Sequence, residues 1–466
     1  MVADAERYQN LVRRLVGGRK VVLAGSPLAA CARQVSELRD LGADRCLCIA
    51  GNVGTGDLPD PADADWVTVD VDAPDLVTSN RRRQALLAAP PPEVNEALDR
   101  FDPDGDALVL VAPFLAADRL GERAVYGGRR SEWVALEDKT HNDAFFDDVG
   151  VSRPPSLLTR PERKALVKAG RSLDLGRGTV WAGDARDGFN GGGEYVRWIR
   201  HEVSVDVDEA VTFFAARCDQ VRVAPFVEGL PCSIQGVVTE DGVAVLRPVE
   251  LVMLRSPTGS RFRYAGAGTF WDPPPADREA MREVARRVRR ALADRVGFRG
   301  AFGIDGILSE DGFVPTELNP RFAAGLGYVM AALPELPFSL VHHLLAAGDG
   351  EDVDAAGLES VILEAADRRR WGAGWTTVER CWLDTRRYPV VVEGDGDYRL
   401  AGEDEEPHAT LMAGPSATGG FLRVAFAPQH RTGTRSMAAS VVAAFALADE
   451  VLDSGIGPLA PAAEVR

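Results

Sequence analysis

Apolar and polar positions along this chain follow two periods, and they change over in recognisable places. Up to about residue 125, short apolar runs alternate with helical patterns. Residues 20–25 and 44–51 read as buried strands that end in glycine, residues 107–113 as a later strand, and residues 28–38 as the helix between the first two. That alternation predicts a small parallel α/β unit. Residues 132–146 read as one helix containing Lys139. Residues 178–183 and 194–199 read as strands flanking a loop with three consecutive glycines, Gly191, Gly192 and Gly193. Residues 221–229 predict another strand. Residues 232–238 and 243–255 predict an antiparallel pair turning at 240–242. Over 277–296 the period becomes helical, with Met281, Val284, Ala285, Val288, Leu292 and Val296 on one face and arginines on the other, solvated face. It then drops to two. Residues 303–307 and 314–319 predict a hairpin turning at 310–312. A second glycine loop over 322–328, a helix over 337–347 with proline in its first turn, strands near 388–392 and at 420–426, a basic loop over 427–435 and an apolar helix over 436–452 complete the pattern.

The hairpin carries the chemistry. Asp305 is on its first strand, and Glu317 and Asn319 are on its second. Strand side chains alternate faces, so Glu317 and Asn319 point the same way. A fold that turns Asp305 to that face makes three oxygen ligands converge. A set without His or Cys suits Mg²⁺ shared with phosphate. Arg321, two residues on, offers a fixed guanidinium that suits phosphate. The competing reading is an acidic surface hairpin with a salt bridge; the apolar setting, where bare charge is costly, speaks against it.

Other polar residues stay open at this level. Lys139 is read as a phosphate contact or as a partner of Asp143 along a helix face. Arg255 is read as binding phosphate or an activated carboxylate, or as a salt bridge to Glu250. His342 and His343 are read as packing or surface residues. The basic loop before the last helix suits a carboxylate, with capping by Ser436 or Thr434 as the competing reading.

At 466 residues the chain is too long for one core, which predicts two to four subdomains. A formal net charge of −17 argues against nucleic-acid and anionic-membrane partners. Lysines occur only at Lys20, Lys139, Lys164 and Lys168. None of the 6 cysteines forms a C-x-x-C pair, so they read as buried free thiols of a reducing cytosol. The N-terminus reads as a charged helix rather than a signal peptide, and no apolar run approaches membrane-spanning length, so a cytoplasmic location is expected. The Ala24-Gly25-Ser26-Pro27 turn lacks G-x-G-x-x-G, which disfavours a dinucleotide-binding dehydrogenase.

Gly303-Ile304-Asp305 followed by Glu317-Leu318-Asn319-Pro320-Arg321 resembles the metal-binding end of the ATP-grasp ligases. The resemblance implies an α/β (α+β) ATP-grasp fold with an N-terminal parallel α/β domain that helps bind the acceptor. The implied divisions are 1–130 for that domain, 131–223 for a linker helix and lid, 224–350 for the core with its metal site, and 351–466 for a C-terminal subdomain. It implies ATP and Mg²⁺ as cofactors, the metal on Asp305, Glu317 and Asn319. ATP would contact Lys139, the glycine loop at Gly191, Gly192 and Gly193, and the hinge backbone at Ala224, Pro225 and Phe226. Arg321 and Arg255 would act on the transferred phosphoryl or acyl phosphate. Two features of the family pattern have no match: the strand before the glycine loop offers Trp181 and no lysine, so that Arg186 or another arginine would substitute, and Leu230-Pro231-Cys232 stands where a ribose-binding Glu is usual. In finer detail, residues 183–193, 247–255 and the C-terminal loop and helix are similar to the pheganomycin-type actinobacterial peptide ligases. That likeness implies small-molecule or peptide carboxylate and amine substrates in natural-product assembly, with a homodimer among the assemblies open to it. A bicarbonate-activating enzyme and a non-catalytic nucleotide-binding module remain the alternatives.

Overall fold

The computed structural model describes residues 2–188, 191–200, 204–257, 259–394, 396–427, 429 and 436–461. The chain begins with a four-stranded parallel sheet of β1 (Lys20–Ala24), β2 (Arg45–Ala50), β3 (Ala64–Thr68) and β4 (Leu108–Val111), ordered β3-β2-β1-β4. Its inner strands are apolar on both sides because helices cover both faces. Val21 and Leu23 meet Cys31, Val35 and Leu38 of the helix Leu28–Asp40, while Val22 and Ala24 meet Leu87, Val94 and Leu98. A short ladder of β5 (Arg119–Leu120) and β6 (Arg123–Ala124) follows.

The helix expected over 132–146 is broken. Ser131–Val134 is helical, Ala135–Glu137 tightens to a 3₁₀ turn, and the helix resumes at Asn142. The cause is Asp138, whose carboxylate accepts the Thr140 backbone N–H at 2.9 Å and its hydroxyl at 2.7 Å. Such a side-chain turn competes with helical hydrogen bonding. Lys139 therefore stands in a turn.

A second sheet, β7-β10-β8-β9, is antiparallel: β7 (Leu157–Thr159), β8 (Thr179–Gly183), β9 (Val196–Ile199) and β10 (Val221–Pro225). Trp181, Ile199, Val223, Leu166 and Phe214 form the core between this sheet and its two helices. Phe189 and Asn190 of the glycine loop lie outside the described residues.

The remaining strands form one sheet of twelve. They are β11 (Leu230–Val238), β12 (Val243–Val245), β13 (Val249–Arg255), β14 (Phe262–Gly268), β15 (Gly300–Ser309), β16 (Gly312–Asn319), β17 (Gly372–Val378), β18 (Arg386–Glu393), β19 (Asp397–Leu400), β20 (Ala409–Ser416), β21 (Gly419–Phe426) and β22 (Ala460–Pro461). The path runs β16-β15-β11-β13-β14-β17-β21-β20-β18-β19, with β12 on β11 and β22 on β13. The single strand expected over 243–255 is thus two; between them Arg247, fully buried, pairs with Asp272 and Asp367. The sheet passes without a break from β14 to β17 because Gly266, at φ +124°, lets the two backbones close: a Cβ there would stand 2.1 Å from the Ala373 carbonyl oxygen.

Helices lie on both faces: Leu326, Val329 and Val341 cluster with Val249, Ala267 and Ala301 on the face of Asp305, and two longer helices cover the other. Met281, Ala285, Val288 and Leu292 of Pro275–Val296 pack on Ile234, Phe302, Ile304 and Leu318. Met437, Val441, Ala444 and Phe445 of Met437–Leu452 pack on Val252, Leu254, Leu422 and Val424. The second glycine loop stops at Gly325, since Leu326–Met330 is helical. Cys381 is exposed, unlike the other five cysteines, which are buried and free. Among the described residues, no helix is long and apolar enough to cross a membrane.

Candidate functional site

The hairpin of β15 and β16 sets Asp305 directly opposite Glu317, and Gly303 opposite Asn319. Asp305, Glu317 and Asn319 therefore share one face, while Ile304 and Leu318 are buried on the other. A bulge follows between Asp305 and Gly306, where Thr316 leaves the ladder and its hydroxyl donates to the Asp305 carbonyl at 3.2 Å. Like charges directly opposite each other on a sheet repel. Burial, and next the facing Glu317, push the Asp305 carboxyl up to about 6.

Cations gather around this pair. Lys139 Nζ lies 2.9 Å from Glu317 Oε1, and only 7% of the lysine side chain is exposed. The Asp143 partnership read for Lys139 does not form: Asp143 accepts both arms of the Arg222 fork at 2.8 Å each. Arg321 donates to Asn319 Oδ1 at 2.8 Å, and its Nε stands 3.1 Å from Glu137 Oε1, though off the angle of a good hydrogen bond. Glu137 also pairs with buried Arg129. Burial pulls the Arg321 guanidinium down, but Glu137, Glu317 and Asp305 together hold it above its usual value. Asn319 in turn donates from Nδ2 to Asp305 Oδ2 at 3.0 Å. Two facing carboxylates and one amide, all oxygen donors with a cavity in front, fit a hard divalent cation.

That cavity, of about 270 Å³, lies between the two antiparallel sheets. It is lined by Lys139, Arg222, Gly191, Gly192, Gly193, Ala224, Pro225, Phe226, Asp305, Glu317, Asn319 and Arg321, with Val180, Ala182, Leu251, Met253, Phe262 and Tyr264 as its apolar walls. An apolar slot opening on a few polar groups suits a planar ring joined to phosphates. The hinge does not offer every amide: Phe226 N–H is already donated to Gly178 at 3.0 Å. Val227, next along, also lines the cavity.

Arg255 is not among the lining residues. It stands over the Trp198 ring at 5.3 Å, and Trp198 stacks on Phe226 at 4.6 Å. The Glu250 bridge read for it does not form, because five residues of strand put the two on opposite faces. Glu250, buried, accepts instead from the Met437 N–H at 3.0 Å and from the Ser436 hydroxyl. The carboxylate at the start of the last helix is thus the protein's own, and Ser436 caps that helix through Ala438 N–H at 3.0 Å. Residues 428 and 430–435 of the basic loop lie outside the described residues. Arg186 is turned to Asp187 and Asp219 at the surface and does not reach the cavity. The cation that the lid sheet does bring there is Arg222, on β10. Sequence reasoning missed Arg222, Glu137 and Tyr264; only Arg222, a charge inside an otherwise apolar strand, left a signal.

Residues 192–325 match the model of the ATP-grasp domain family. The chain carries an ATP-grasp domain. The fold agrees: an N5-carboxyaminoimidazole ribonucleotide synthetase in complex with ADP superposes with a TM-score of 0.52 at 12% identity, covering 94% of this chain and 98% of that one. The pyruvate carboxylase of Rhizobium etli superposes with a TM-score of 0.54 at 14% identity, over 88% of this chain and 36% of that one. In sequence, the carbamoyl phosphate synthase large chain of Neisseria meningitidis is 25% identical over 227 residues, which is 47% of this chain and 20% of that one. The chain thus matches about a fifth of the length of these curated relatives. The matched segment holds the hairpin and, of the glycine loop, Gly192 and Gly193, while Gly191 and Lys139 lie outside it.

Proposed function

We propose that this chain is an ATP-dependent ligase that joins a carboxylate to an amine through an acyl phosphate. The observation that carries the reading is the convergence, on one cavity, of facing Asp305 and Glu317, Asn319, Lys139, Arg321 and the glycine loop. Asp305, Glu317 and Asn319 would hold Mg²⁺, which when bound supplies charge neutralisation on ATP phosphates. Lys139 and the backbone amides of Gly191, Gly192 and Gly193 would position those phosphates, and the hinge from Ala224 to Val227 the base. Arg321 would aim its guanidinium at charge developing as the substrate carboxylate attacks the γ-phosphate. The apolar walls from Val180 to Tyr264 keep water from the acyl phosphate until the amine displaces phosphate. The likeness of residues 183–193 and 247–255 to pheganomycin-type ligases supports a peptide or amino-acid amide as the product. Arg255, outside the cavity lining, would act through Trp198, which it covers and which stacks on Phe226 of the hinge.

A second reading is activation of bicarbonate, favoured by the names of the similar proteins, which include a carbamoyl phosphate synthase and a pyruvate carboxylase. One screen separates the two. Phosphate release is measured with ATP and Mg²⁺ against pairs of carboxylic acids and amines, and against bicarbonate with ammonia, with products read by mass spectrometry. An amide product supports the ligase; turnover with bicarbonate alone overturns it.

A further inference from the structure

The face that carries Asp305 and Glu317 does not end at the cavity. Register carries it across the sheet: Ser233 lies opposite Asp305, Leu251 opposite Ala267, Met253 opposite Tyr264, Ala267 opposite Ala373, Trp375 opposite Arg423, and Arg423 opposite Met412. Beyond the cavity the helix Leu326–Met330 covers this face at Ala267, and its Tyr328 reaches the Ala267 backbone and the Trp375 side chain; past Trp375, at β21, the last helix lies on the other face. Along β21 the buried and half-buried positions alternate strictly: Leu422, Val424 and Phe426 are sealed under the last helix, while Phe421, Arg423 and Ala425 stay half open. Ring on ring lines this strip. Tyr264 meets Trp375 edge-on at 5.7 Å, and Trp375 stacks on Phe421 at 5.9 Å. A loop of the N-terminal unit closes the far end, where Thr55 bonds the Pro415 carbonyl at 2.8 Å and Gly56 N–H bonds Thr385 at 2.9 Å.

Two polar groups on the strip have no hydrogen-bond or ion-pair partner among the described residues. The Tyr264 hydroxyl, at the cavity end, is buried and makes no hydrogen bond to the described residues. Arg423, at the far end, has no ion pair or hydrogen bond among the described residues, in a chain of net charge −17. Register gives it no acidic neighbour on its face, only Trp375, Met412, Phe421 and Ala425. A half-buried guanidinium without an anion is costly and is usually paired. Arg423 is near enough to the Tyr328 phenol, beside Trp375, to offset part of what burial does to it.

We propose that this strip is an acceptor subsite, in which Arg423 binds a remote carboxylate of the substrate and the Tyr264 hydroxyl donates to the group entering the cavity; this rests on the ligase reading above. Arg423 stands two strand spacings beyond Tyr264, roughly 10 Å. A substrate of about three extended residues, or another chain of that length ending in a carboxylate, spans the gap. Arg423 is then a specificity-determining residue, not part of the phosphoryl-transfer machinery.

The test is calorimetry on the full chain, with and without Mg²⁺ and a non-hydrolysable ATP analogue, titrating the tripeptide Ala-Ala-Phe as the free acid and as its C-terminal amide. The free acid is expected to bind at least tenfold more tightly. Arg423→Gln should abolish that advantage and Arg423→Lys keep part of it, with melting temperature and analogue affinity unchanged. Equal binding of acid and amide, binding of neither, or an advantage that survives Arg423→Gln overturns the subsite. The nucleotide arm separates this from the ligase reading: a chain that discriminates acid from amide yet binds no ATP analogue sustains the subsite and removes the ligase.

Discussion

Lys139 and Glu317 stand 178 residues apart in the chain and hold each other at 2.9 Å across the floor of the cavity. The lysine thereby occupies one of the carboxylates assigned to a metal. Glu317→Ala should remove a ligand and also strand an almost fully buried ammonium. Breaking a buried pair from one side costs about 3–5 kcal/mol. The expected result is a folded but less stable protein whose ATP-analogue binding no longer responds to Mg²⁺ and whose turnover is lost. Lys139→Ala should destabilise similarly, and the double variant by clearly less than the sum, as urea unfolding of the three would show. Strict additivity would mean that the pair is not coupled.

Asp305 faces Glu317 at the price of repulsion. Asp305→Asn should therefore melt a few degrees above the parent when no divalent ion is present. With Mg²⁺ and an ATP analogue the order should reverse, because only the parent gains a full ligand set. Thermal scans in both conditions give the comparison; a variant that melts lower throughout would show that the two carboxylates are structural.

Arg321 touches Asn319 and Glu137, so its charge is already oriented before any substrate arrives. Arg321→Lys keeps the charge and loses the fork. Turnover should fall by about 10²–10³, the usual cost of one donor aimed at developing charge. Affinity for the ATP analogue should change little. If melting temperature and affinity fall together while activity per folded molecule holds, the residue only braces the hairpin.

His342 is buried, and its Nδ1 accepts the Ala301 N–H at 3.0 Å. Burial, then His343 and Arg129, push it down to about 3. Its unfolded value is near 6.5, so the unfolded chain binds the proton first as acid is added. This contribution to stability is whole above pH ~6.5 and is lost progressively as pH falls towards 3. By pH 5 the loss amounts to about 2 kcal/mol. His342→Asn, whose amide oxygen can take the same N–H, should flatten that part of the pH–stability curve. An unchanged slope between pH 7 and 5 would assign the acid sensitivity elsewhere.

The hairpin was legible because a period of two makes faces countable, and Glu317 and Asn319 must agree whatever the register. Lys139 was legible only as a residue of interest. Its reach to Glu317 depends on Asp138 breaking a helix that the apolar pattern predicts, and a single side-chain turn leaves no periodic trace. Arg255 failed in the other direction: the strand read over 243–255 is broken at Arg247, and a partner five residues away on its second part lies on the opposite face. Tyr264 and Arg423 were invisible, since nothing local says that β14 and β21 belong to the sheet of β15. That adjacency depends on Gly266 and on the pairing of β14 with β17 more than a hundred residues along the chain, which propensity does not encode.

The junction at β14 and β17 also decides how the molecule comes apart. Because the C-terminal strands continue the ladder of the ATP-grasp domain, and β22 returns to pair with β13, the last quarter of the chain is no detachable module. Cutting it away would bare the edge of β14 and the apolar faces of Val252 and Leu254. Amide hydrogens of β13, β14, β17 and β21 should then exchange with deuterium as one cooperative block, at the rate of global opening.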